Sequence, residues 1–151
     1  MRVAFAVGRA LFGGFFIYNG INHLMHADQM APYAESKGVP ASKTAVNSTA
    51  AMLLAGGFSV VAGMKPRQGL ATLLAFLVPT TLQMHRFWEQ EDPQQRIHET
   101  VNFTKNVALI GAALALMQVQ EPWPGSIDEL AAPEEDMYVH LGGRDLRGLP
   151  A

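Results

Sequence analysis

Charge is unevenly distributed along this chain. Four runs are almost free of it: "VAFAVGRALFGGFFIYNGIN" (3–22) carries only Arg9, "TAVNSTAAMLLAGGFSVVAGM" (44–64) and "QGLATLLAFLVPTTLQM" (68–84) carry none, and "TVNFTKNVALIGAALALMQV" (100–119) carries only Lys105. Each is close to the roughly 20 residues that cross a hydrocarbon core of about 30 Å as a helix. A helix of a soluble bundle shows a charged face every three or four residues, and these runs do not. The pattern predicts an all-α fold, an integral membrane four-helix bundle of up-and-down topology over residues 1–119. The remainder, 120–151, carries two early prolines, scattered acids and no periodicity, and reads as a cytoplasmic tail, extended or ordered by a partner. The first run is expected to be a retained span, because Arg9 interrupts it and no small-x-small cleavage pattern follows.

Smaller signals refine the elements. Ala51, Ala55, Ser59 and Gly63 recur every fourth residue, and Gly13 and Gly20 lie two turns apart with Gly14 beside them. Ala108, Gly111, Ala112 and Ala115 form a third small-residue row, and all three rows predict close helix packing within one bundle. Pro79 is expected to kink its span. Asp92 before Pro93, with Gln95 three positions on, is an N-cap and capping-box signature, so the last helix should begin near Pro93 and project beyond the membrane. Arg9 is expected to snorkel towards the cytoplasmic face.

Charge fixes an orientation. The connection "KPR" (65–67) is purely basic and Arg2 lies on the same side after two crossings. That side is predicted to be cytoplasmic, with both termini inside and residues 26–43 and 85–99 outside. The net charge of -2 suggests no nucleic-acid partner, and the absence of cysteine removes disulfides, thiol redox chemistry, iron–sulfur clusters and covalent c-type haem. No nucleotide fingerprint and no metal-ligand spacing is present, so catalysis by this chain alone is not expected and no metal is assigned.

The polar residues that remain converge. The first span ends in "YNGINHLMH", the third in "MHRFW", and the fourth enters from the same side with Asn102, Lys105 and Asn106. Polar groups within a membrane are costly and usually face a cavity or the bundle interior. The candidate ligand-binding residues are therefore Asn19, His23, His85, Trp88, Asn102, Lys105 and Asn106, with no catalytic residue assigned. The plainer alternative leaves His23, His26 and His85 wetting their rings among lipid headgroups. A quinone could offer carbonyl oxygens to Lys105 or a histidine N–H. A b-type haem on His23 and His85 is disfavoured.

"GRALFGGFFIYNGINHL", "YAESKGVP", "LLAGGFSVVAGMKPRQGLATLLAF" and "HRFW…NFTKNVALIGAALAL" together resemble the DoxX family of small four-span membrane proteins, over about residues 8–118. The resemblance implies a bacterial inner-membrane protein whose relatives include the membrane subunit of thiosulfate:quinone oxidoreductase. It also implies partners, other subunits of a membrane complex besides the lipid bilayer itself. Many members carry a glutamate in an E-L-x-G-G pattern whose matching position here is Leu53, so a proton-moving role of that carboxylate does not carry over. The expected function is an accessory or membrane subunit of a larger, quinone-linked redox complex. The alternative is a stand-alone small-solute or lipid-handling protein with an outward-facing cavity.

Overall fold

The structure, a computed structural model, describes residues 2–131. Every regular element among them is helical: α1 (Arg2–Met25), α2 (Ala27–Ser36), α3 (Ser42–Ala62), α4 (Pro66–Met84), α5 (Pro93–Leu116) and a short α6 (Ile127–Ala131), with a 3-10 turn at Phe87–Glu89. α1 packs on α3, α3 on α4 and α4 on α5, so the long helices form a row in which α3 and α4 are central. α1 and α5, at the two ends of that row, are not close neighbours. α2 lies across the end where α1 and α4 finish.

α3 is central because it has two glycine faces. A Cβ on Gly57 would fall 2.8 Å from the Gly13 carbonyl oxygen and 2.8 Å from Ile17 of α1. A Cβ on Gly56 would fall 2.7 Å from Leu73 and 3.0 Å from the Gly69 oxygen of α4. Adjacent glycines thus bring a different partner's backbone close on each side, the packing that small residues permit. This corrects part of the stripe expected from spacing: Ala51 and Ala55 are exposed, and the close contacts run through the neighbouring residues. Gly13 and Gly20 do pack as expected, whereas Ala108, Gly111, Ala112 and Ala115 of α5 face outward.

The exterior is apolar. Val3, Val7, Leu11, Tyr18, Ile21 and Met25 form an exposed stripe on α1, and Phe58, Val78, Leu82, Val101, Val107 and Leu114 continue it on other helices. Large hydrophobic side chains outside and glycine at the contacts suit a lipid surround better than water. By length and composition α1 and α3 are apolar enough to cross a membrane. α4 runs on through Pro79 without a break to Met84.

The helix ends follow from local chemistry. α3 closes on Gly63 at φ 68°, with the Met64 N–H donated to the Ser59 oxygen over 3.1 Å, a Schellman-type stop. Pro66 then opens α4 where its missing N–H costs nothing. α5 starts at Pro93 with the Asp92 carboxylate accepting the Gln95 N–H at 2.9 Å.

The chain beyond α5 departs from expectation. Residues 120–131 do not extend away but fold back as a strap across the end of the bundle opposite α2. Trp123 is fully buried, edge-on to Phe5 with ring centroids 5.3 Å apart. Asp128 accepts the Lys65 N–H at 2.8 Å and Glu121 the Arg67 N–H at 3.2 Å, so the acids cap the α3–α4 turn. Arg9 does not snorkel: it is buried, and its guanidinium donates to the Gly125 carbonyl beneath the strap. The remainder of the tail, from residue 132, lies outside the described residues.

Candidate functional site

Because α1 and α5 stay apart, the α2 end of the bundle holds a half-open cavity of about 800 Å³. Its apolar floor is Phe16, Leu53, Phe76 and Leu77, and α2 contributes Met30 and Tyr33 to the roof. Polar groups ring the space between floor and roof: Asn19 and His23 from α1, Thr49 from α3, Thr80, Gln83 and His85 from the end of α4, and Lys105 and Asn106 from α5.

Of the seven residues singled out in the sequence, five line this cavity: Asn19, His23, His85, Lys105 and Asn106. Asn106 is buried, and its amide bonds to no other described side chain or carbonyl, so it is free for something in the cavity. Asn19 spends one amide proton on the Phe15 carbonyl at 2.7 Å. Asn102 is not on the wall. It accepts from Lys105 Nζ at 3.0 Å and reaches His98 Nε2 at 3.3 Å, and so steadies the lysine from outside. Trp88 is also outside, half-exposed and packed edge-on to Phe87 and Phe103, the place of an interfacial aromatic anchor.

The structure adds residues that sequence reasoning passed over. Glu99 is buried behind the cavity wall at the start of α5. Its carboxylate accepts the Tyr33 hydroxyl at 2.7 Å and His85 Nδ1 at 2.8 Å, with Lys37 Nζ 3.5 Å away. One acid thereby joins α2, the α4 terminus and α5. Burial alone would push the Glu99 carboxyl up. The hydrogen bonds from His85 and Tyr33 and the Lys37 charge outweigh it and hold the group below the usual carboxylate range. Burial, then the hydrogen bond to Glu99, push the Tyr33 hydroxyl far above the usual phenol range, so it remains a donor.

The second cavity histidine is fixed in a similar way. His23 Nδ1 lies 3.1 Å from the Thr49 hydroxyl oxygen, and that hydroxyl donates to the Val46 carbonyl at 2.8 Å. Its one proton being spent there, Thr49 accepts from His23. The signal for Glu99 was weak but present. Glu99, Asn106 and Ala113 are the buried positions of α5, spaced by seven, a row next to the His98–Asn102–Lys105 row that drew attention first.

An all-helical bundle with an apolar exterior and a polar cavity near one end belongs to the class of small helical membrane proteins. The DoxX family profile matches residues 4–86, more than half of the chain, and the chain belongs to the DoxX family, a family of membrane proteins. α5, which carries Glu99, Lys105 and Asn106, lies beyond the matched stretch. No curated protein and no solved structure matches the chain.

Proposed function

We propose that this chain is a four-span protein of the bacterial inner membrane that holds a quinone-class ligand in its outer cavity, as a membrane subunit of a larger redox complex. The observation that carries the reading is the cavity of about 800 Å³, within the range of small-molecule sites, with an apolar floor and a polar ring including His23, His85, Lys105 and Asn106. Such a ring suits a flat headgroup with opposed oxygens, while the gap between α1 and α5 gives an isoprenoid tail a way out into lipid. α4, at 19 residues, is long enough to span about 28 Å, and the part of α5 from Thr100 to Leu116 about 26 Å. The outward row Ala108, Gly111, Ala112 and Ala115 favours close approach of a helix from another subunit.

Lys105→Ala and Asn106→Ala should each weaken binding of a short-chain quinone analogue to the purified protein by about tenfold, the worth of one good hydrogen bond. Trp88→Ala, off the cavity wall, should leave affinity unchanged. Wild-type affinity in both cavity variants would overturn the assignment. Displacement of the analogue by phospholipid but not by quinones would favour a lipid-handling protein.

Orientation has its own test. With Arg2 and the "KPR" turn inside, Glu91→Cys should react with an impermeant thiol reagent on intact cells and Lys65→Cys should not. The reverse pattern would turn the bundle over and make the cavity face the cytoplasm.

A further inference from the structure

Both cavity histidines are held through Nδ1. The Glu99 carboxylate has no proton to offer, so the 2.8 Å contact with His85 requires the hydrogen on Nδ1. Thr49 has given its proton to Val46, so the 3.1 Å contact with His23 requires the same. In the neutral form of each ring the remaining nitrogen, Nε2, is a bare lone pair, and neither Nε2 bonds to another described residue. Two elements of different helices therefore arrive at one polarity by independent means, a buried carboxylate and a committed hydroxyl.

We propose that Glu99 and Thr49 fix His85 and His23 as hydrogen-bond acceptors, so that the cavity selects a ligand bringing hydroxyl groups, the hydroquinone over the quinone. The inference rests on the quinone-class reading above and adds the redox state that is bound. A quinone presents only carbonyl acceptors, which would face two lone pairs and leave Lys105 and Asn106 as its donors. A hydroquinone donates to both histidines and still accepts from Lys105. Glu99 lies behind the cavity wall, and Thr49, on the wall, has its one proton on the Val46 carbonyl, so neither carries a proton to the ligand. They are positioning residues acting through the histidine tautomers.

The test is equilibrium binding of one short-chain quinone analogue, oxidised and chemically reduced, to the full-length protein in mild detergent without oxygen at pH 8. The reduced form should bind about tenfold more tightly. In Glu99→Gln the amide can donate to Nδ1 and release the tautomer, and in Thr49→Val the acceptor for His23 is gone. Each change should bring the ratio of the two affinities towards one, chiefly by weakening the reduced form, whereas a merely structural role would weaken both forms alike. If Glu99→Gln fails to fold, the wild-type ratio and Thr49→Val decide. Equal binding, or preference for the oxidised form, overturns the inference and leaves the quinone-class reading intact. Binding of neither form removes both.

Discussion

Glu99→Ala is expected to destabilise the protein by about 3 kcal/mol, the usual cost of breaking a buried, hydrogen-bonded ion pair from one side. The change strands the Tyr33 hydroxyl, His85 Nδ1 and Lys37 Nζ, all of which end on this one carboxylate. It also releases α2 from α5, since Tyr33 and Lys37 belong to α2 and its trailing turn. A thermal melt in mild detergent measures the loss. The pH dependence has a definite sign. The folded state holds the Glu99 carboxyl below its ordinary range, so the stabilisation is present above the unfolded value of about 4.3 and is lost as pH falls through the folded value. The gap between wild type and Glu99→Ala should be constant above about pH 5 and narrow below about pH 4. A variant that melts with wild type at neutral pH would show the cluster to be superficial.

Gly57→Val should be at least as damaging, at about 3 kcal/mol or more, the upper part of the range for overpacking. The added Cβ would meet the Gly13 oxygen at 2.8 Å and Ile17 N at 3.0 Å, both backbone atoms of α1 that cannot rotate away. The helices would have to part, and α1 carries Asn19 and His23 with it, so ligand binding should fall together with the melting temperature. Gly14 supplies the control. Nothing lies within 4 Å of a Cβ built there, so Gly14→Ala should be neutral or slightly stabilising through helix propensity. Equal behaviour of the two positions would contradict the α1–α3 contact.

The four long helices could be read from charge-free runs, and the start of α5 from the Asp92–Pro93 pair. Other parts could not, for identifiable reasons. α2 buries only Ala27, Ala31 and Ala34 and has Pro32 within it, so no hydrophobic period announces a helix. The strap hid behind Pro122, Pro124 and its acids, a composition that reads as solvated. Its anchor is one aromatic, Trp123, and its acids serve as caps for backbone N–H groups 63 and 54 residues away in sequence. Such pairings leave no local trace. Arg9 is a related case, since a snorkelling arginine and one roofed by a distant carbonyl look identical in one dimension.

The candidate site divides along the same line. Topology alone brought His23, His85, Lys105 and Asn106 to one level of the bundle, because the number of crossings fixes which ends meet. Facing was harder. Adjacent rows on α5 differ by one residue, about 100° of rotation, and polarity marks the His98–Asn102–Lys105 row as clearly as the one containing Glu99 and Asn106. A single acid at the head of an apolar helix looks like a solvated end until Tyr33, from a helix without a signal, is placed against it. The spacing of glycines likewise showed that α3 packs closely, but not that its two faces meet two different neighbours.

The most direct test of the central claim is photolabelling of native membranes with a photoreactive quinone, followed by mapping of the labelled peptides. The cavity predicts label on residues 15–23 of α1, on 76–84 of α4 with the following His85, and on 105–106 of α5, suppressed by excess unlabelled quinone and lost in Lys105→Ala. Label spread over outward-facing positions such as Phe58 and Val107, unaffected by competitor, would contradict it.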